Sequence, residues 1–267
     1  MKLMKTDLTG QTVLVTGASS GLGEQLALAA AAQGANVVVA ARRHDRLTAV
    51  ADQCRILSQA QALAIKCDIS KVGDVDHVFT TIEDVFGRLD VVINAAGFGY
   101  MAAATAIDQA LVTKMFHVNT LGVMYVSQRA AQVMVKAGHG EIVNIASMAG
   151  KIATPKSSVY AATKAALIAY DNALRLELKP AGINVLTVNP GPIKTDFFKT
   201  ADPSGNYLAS VDRIALNSVK FAALIISKLG HNRREINRPW VMSAANLGYQ
   251  AAPKLGDFLA GTVFNFK

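Results

Sequence analysis

Several things are scarce in this 267-residue chain. Two cysteines, Cys54 and Cys67, are too few for a disulfide framework and suit a reducing compartment. Seven prolines and 17% charged residues, set against 51% hydrophobic ones, exclude wholesale disorder. No apolar run is long enough to span a bilayer. The opening stretch MKLMKTDLTGQTVLVTG meets polar residues before an apolar export signal forms, so the expected location is cytoplasmic. The histidines (His44, His77, His117, His139, His231) are scattered and no CxxC occurs, so no metal site is expected. Acidic residues are also few, 19 against 27 Lys and Arg, which gives a net charge of +8. That balance favours an anionic ligand (a phosphorylated cofactor, nucleic acid or a lipid surface), and a merely solvated basic surface stays open. No nucleic-acid motif is present, and the cluster HNRRE reads as a wet loop.

What is present is a rhythm. Short Val/Ile/Leu runs at 12–15, 36–40, 62–66, 91–94, 142–145 and 184–188 show little period-2 alternation, the mark of strands buried on both faces. Longer amphipathic stretches lie between or after them, at 24–33, 45–59, 73–86, 107–136, 157–178 and 211–229. The alternation predicts one doubly wound α/β domain over 1–267, with a parallel sheet and helices on both faces. Residues 190–212 form a long loop, expected to serve the substrate. A tail rich in aromatic residues follows from 240 to 267.

The first strand runs into TVLVTGASSGLG, where Gly17, Ser19, Ser20, Gly21, Leu22 and Gly23 precede an Ala-rich helix. Glycines in such a turn let backbone amides approach a pyrophosphate at a helix N-terminus. A turn that only packs is the alternative. The second strand ends in Ala41-Arg42-Arg43. An NAD site wants an acid there for the ribose hydroxyls, whereas a 2′-phosphate wants a guanidinium fork. Arg42 is the expected main phosphate ligand, with Arg43 and Ser20 in support and Asp45 capping the next helix. A wet helix start is the bland reading of the same pair. Farther on, Ser147 follows the fifth strand, and SVYAATK places Tyr160 and Lys164 one helical turn apart on the same face. An ammonium beside a phenol lowers a pKa that is ordinarily ~10, which equips Tyr160 for proton transfer near neutrality. Packing alone is the other account of Tyr160.

Together the glycine turn, Asn94-Ala95-Ala96-Gly97, Asn119 in HVNTLG, Ser147, YAATK and the Pro190-Gly191 element resemble the short-chain dehydrogenase/reductase family over residues 8–195. The resemblance implies a Rossmann-type fold and an oxidoreductase that interconverts a ketone or aldehyde and an alcohol. With Arg42 and Arg43 present, the cofactor expected is NADP(H). It also implies that Asp68 and Ile69 face the adenine, and that the 94–97 element passes close to the cofactor. Pro190, Gly191, Ile193 and Thr195 would cover the nicotinamide. Lys164 would bond the nicotinamide ribose, Ser147 would hold the substrate oxygen, and Asn119 would complete a proton relay through water. Asn94 as a turn residue and Asn119 as a polar kink in a helix remain open. Phe197, Phe198 and Tyr207 are either pocket residues or packing staples.

The expected partner is a small carbonyl or alcohol substrate. A homodimer or homotetramer is expected, and the tetramer is in doubt because residues 234–240 lack the family's usual ending. A tail helix over 246–266 would break at Pro253. Docking on the body of its own or a partner subunit near 190–210 is the favoured reading of the tail, ahead of pocket cover and membrane contact. A non-catalytic redox sensor on the same fold is the rival function, and an epimerase or dehydratase is the rival chemistry.

Overall fold

The apolar runs form strands because their side chains can be buried on both sides at once. In β1 (Thr12–Thr16), Val13 and Val15 enter one core and Leu14 the other. In β2 (Asn36–Ala41) the same split separates Val37 and Val39 from Val38. Alternation of Cβ atoms across a pleat therefore feeds two helix layers from a nearly unbroken hydrophobic run. The computed structural model describes residues 6–202, 211 and 214–262.

The other strands are β3 (Ala62–Lys66), β4 (Val91–Asn94), β5 (Gly140–Ile145), β6 (Ile183–Pro190) and β7 (Glu235–Arg238). All seven are parallel, in the order β3-β2-β1-β4-β5-β6-β7. One core takes α1 (Gly21–Ala31), α2 (His44–Ser58) and the helix Ser218–Ile226. The other takes α3 (Val72–Phe86), α5 (Val123–Ala137) and α6 (Ser158–Leu178). The chain winds outward from β1 to β3, then restarts beside β1 at β4. That reversal opens a crevice at the carboxyl ends of the strands, where open α/β sheets bind ligands.

Four expectations need correction. The basic cluster is not wholly a wet loop, because Glu235–Arg238 pairs with β6 as β7. Its single buried residue, Ile236, is too little to mark a strand in the sequence. The last core helix begins at Ser218 and not at 211, because Asn217 caps it by accepting from Lys220 N–H at 3.0 Å. Asp45 does not cap α2; Arg43 holds the cap position without a side-chain bond, and Asp45 lies in the first turn. The long helix 107–136 is three pieces: α4 (Gln109–Phe116), a π-helical turn (His117–Gly122) and α5. The short helix Phe197–Ala201 is α7, and Ser218–Ile226 is α8.

The tail forms α9 (Trp240–Ala251) and α10 (Pro253–Gly261), separated at Ala252 just before Pro253. Of its expected docking, the structure shows Met242, in the first turn of α9, packed over Gly191. Neither helix buries a residue fully, and Trp240, Leu247, Leu255 and Phe258 are exposed. Phe264 and Phe266 lie outside the described residues. No helix among the described residues is long and apolar enough to cross a membrane.

Candidate active site

The crevice is a cavity of about 690 Å³. Its floor is the glycine turn between β1 and α1. Gly17 has φ +69°, and a Cβ there would stand 2.5 Å from Ala96 Cα. A Cβ on Gly23 would stand 2.4 Å from the Gly17 carbonyl. Only glycine lets the turn lie this close to the backbone after β4, and Ser19 to Gly23 line the cavity where α1 begins. This is the cradle a pyrophosphate needs.

Arg43 closes one side of the cradle. Its Nη2 donates to Ser19 Oγ at 2.9 Å and Ser20 Oγ at 2.7 Å. Arg43 is thus the guanidinium seated against the glycine turn. Arg42 also lines the cavity, and its charge acts on Asp68. Burial pushes the Asp68 carboxyl up, but two hydrogen bonds from Ser70 and the charges of Arg42 and Lys71 outweigh it and hold it below the usual range. Ala41, at the end of β2, is nearly buried and offers no carboxylate to a ribose.

The opposite end holds the titratable groups. Ser147 begins a short 3-10 turn after β5, where its Oγ accepts from Ala149 N–H at 3.0 Å and donates to the Pro190 carbonyl at 3.4 Å. Tyr160 and Lys164 project from the first turns of α6. Lys164 is buried and donates to the Ile145 carbonyl at 2.8 Å. Burial lowers its pKa to about 8, with the charge of Asp171 opposing the shift. A Cβ on Gly97 would lie 3.6 Å from Lys164 Nζ and 3.2 Å from Asn119 Oδ1, so these groups converge on one point of the β4 loop.

Asn119 sits in the π turn, fully buried. Its Nδ2 donates to the Phe98 carbonyl at 2.8 Å and to Thr163 Oγ1 at 3.2 Å, while its Oδ1 accepts from Phe98 N–H at 3.0 Å. It is more than a kink: it ties the β4 loop to the helix carrying Tyr160 and Lys164. Both Nδ2 hydrogens are used in those bonds, and the side chain stands behind the residues that line the cavity. Asn94 requires a correction. It does not line the cavity but accepts from Thr16 Oγ1 and donates to Ser127 and Asn144, inside the sheet core. The chain of bonds continues from Asn144 to Asp171 at 2.6 Å and from Thr187 to Asp171 at 2.7 Å. Burial raises the Asp171 pKa to about 6, against those hydrogen bonds and nearby positive charge.

Of the remaining expected residues, Leu22, Gly21, Ile69, Ala95, Gly191, Ile193 and Thr195 all line the cavity. The Pro190-Gly191 element follows β6, and Gly191 N–H donates to the Arg238 carbonyl at 2.6 Å. Phe197 and Phe198 line it too, whereas Tyr207 lies outside the described residues. Sequence reasoning missed Phe98, Met101, Ile152 and Met242, none of which belongs to a recognisable motif.

Residues 11–205 match the family model described as short chain dehydrogenase. The chain is a short-chain dehydrogenase/reductase. Members of this family of oxidoreductases use NAD(P)(H), and both the cradle and the guanidinium beside it fit such a group. An uncharacterised oxidoreductase of Staphylococcus aureus is 35% identical over 199 residues, covering 74% of this chain and 85% of that protein. A crystal structure of a short-chain type dehydrogenase/reductase from Mycobacterium marinum superposes with a TM-score of 0.79 at 31% identity, covering 86% of this chain and 95% of that one. An alcohol dehydrogenase from Thermococcus sibiricus, solved in complex with 5-hydroxy-NADP, gives a TM-score of 0.75 at 25% identity, covering 85% and 94%.

Proposed function

We propose that this short-chain dehydrogenase/reductase is an NADP(H)-dependent enzyme that reduces a ketone or aldehyde to an alcohol, or runs the reverse. The observation that carries the cofactor choice is Arg43 lying across Ser19 and Ser20 while Ala41 supplies no acid. The neighbour crystallised with 5-hydroxy-NADP supports the same choice. Arg43 and Arg42 would bind the 2′-phosphate, Gly17 to Gly23 the pyrophosphate, and Ile193 and Thr195 the nicotinamide. The nicotinamide supplies or accepts the hydride.

The chain's own groups manage the proton. Ser147 Oγ, already oriented by Ala149 N–H, orients the carbonyl oxygen. Tyr160 donates its hydroxyl proton to that oxygen. Lys164 holds a positive charge near it, and Asn119 fixes the helix and loop on which these groups stand. Tyr160→Phe removes only the hydroxyl. NADPH binding should persist, while turnover with an accepted carbonyl falls by roughly 10²-fold or more. Stopped-flow traces of NADPH absorbance with purified variant check this, and near-normal turnover would exclude Tyr160 as the acid.

A further inference from the structure

The cofactor reading accounts for one side of the cavity and leaves a second wall unexplained. That wall is made by Phe98, Met101, Ile152, Phe197, Phe198 and Met242, which come from four separated segments of the chain. Phe197 stands 5.9 Å from the Tyr160 ring and meets Phe198 edge-on at 5.3 Å. Gly99 makes room for it, since a Cβ there would be 2.8 Å from Phe197 Cζ. Backbone bonds lock the segments together: Met101 N–H donates to the Ala201 carbonyl at 2.8 Å and Ala102 N–H to the Lys156 carbonyl at 2.9 Å. The one charged pair among the described residues on this side, Lys199 with Asp196 at 2.8 Å, stands in solvent at the rim. Lys114 Nζ lies 5.9 Å over the Phe98 ring, and Thr154 lines the cavity near Ile152, but the six wall side chains themselves are aromatic, aliphatic or thioether, so a carboxylate or phosphate laid against them would lose water without a hydrogen bond from them.

Met242 is the part contributed by the tail. Its sulfur lies where a Gly191 side chain would be, 2.6 Å from an ideal Cβ, with Pro239 Cδ at 2.8 Å. The first turn of α9 is thereby keyed to the backbone of the nicotinamide-covering element and faces the same cavity.

Resting on the reductase reading above, we infer that the enzyme takes an uncharged, apolar carbonyl compound whose body lies against this wall, and that Met242 of the tail is a specificity-determining residue. The matched probes are decan-2-one and 9-oxodecanoate, which differ only in the group at the far end. Wild-type enzyme should reduce decan-2-one with a kcat/KM at least tenfold higher than 9-oxodecanoate, the scale on which an unpaired charge is rejected. Met242→Lys should narrow or reverse that ratio by about tenfold. Met242→Leu should keep the wild-type ratio, and thermal melts of both variants confirm folding. Equal or better use of 9-oxodecanoate by the wild type would overturn the inference. So would a ratio that Met242→Lys leaves unmoved.

Binding of the corresponding alcohols, decan-2-ol and 9-hydroxydecanoate, to NADP⁺-loaded protein supplies the second readout, through the single tryptophan, Trp240, which lies two residues from Met242. Preferential binding of decan-2-ol without turnover of either ketone would uphold the apolar wall and overturn the reductase reading. Preferential binding of 9-hydroxydecanoate would overturn the wall itself.

Discussion

Arg43 is the side chain on which the proposed cofactor choice turns. Its fork rests on two serine hydroxyls that themselves face the cradle, so the guanidinium is oriented before any ligand arrives. Arg43→Ala should weaken NADPH binding by about 1.5–3 kcal/mol, the worth of a hydrogen bond to a charged group, and leave NADH almost unaffected. Calorimetric titration of both cofactors checks this, and wild-type preference for NADH would remove the 2′-phosphate from the argument. Adding Ala41→Asp to that variant should turn preference toward NADH, because an acid at the end of β2 would accept from the ribose hydroxyls. The Arg42–Arg43 pair is legible in the sequence as a basic pair beside the glycine turn, but which member touches the turn is not. Adjacent residues leaving a strand point to opposite sides, and the side is fixed by how α2 departs. In the same way Asn94 is legible as a special residue, yet its role depends on Ser127 and Asn144, which lie far from it in sequence.

Elements with long apolar periodicity were legible, and short or irregular ones were not. β1 to β6 announce themselves because both faces are buried, whereas β7 carries one buried residue in four and looks like a charged loop. The π turn leaves no hydrophobic signature, since a single widened turn only rotates the stripe of the following helix. Yet that turn carries Asn119 and joins the β4 loop to α6. Helix α6 also places Lys164 and Asp171 in the same buried region. Lys164, held at about 8 against an ordinary 10.5, keeps its proton less tightly than in the unfolded chain. Its burial therefore disfavours folding below pH 8, and the penalty is relieved as pH rises from about 8 to 10.5. Asp171 runs the other way: held at about 6 against 3.8, it favours the fold fully below 3.8, and that contribution is lost as pH rises to about 6. For catalysis, carbonyl reduction should fall on the alkaline side as Lys164 loses its charge, with an inflection near pH 8. Asp171→Asn removes the charge that holds the Lys164 proton, so the inflection should move to lower pH. A pH–rate profile of the two proteins checks the direction.

At the scale of the whole molecule, the cores on either side of the sheet carry the stability and α9 and α10 carry little of it. No residue from Trp240 to Gly261 is fully buried. A chain ending after Ala251 should therefore fold with its melting midpoint lowered by no more than about 2–4 °C, equivalent to ~1 kcal/mol for a protein of this size. It should also keep its preference between decan-2-one and 9-oxodecanoate, because Met242 remains. A melt and the paired rate measurement check both. The parallel pairing of β6 with β7 has a consequence for how the molecule is made. On a ribosome the chain emerges from its N-terminus, so five strands can align before β6 appears, and about 45 further residues must follow before Glu235–Arg238 does. Throughout that interval the outer rim of β6 offers bare N–H and C=O groups to any neighbouring nascent chain. The final small strand thus acts as a seal applied late in synthesis, and the window before it closes is when newly made copies are most exposed to co-aggregation and most in need of a chaperone.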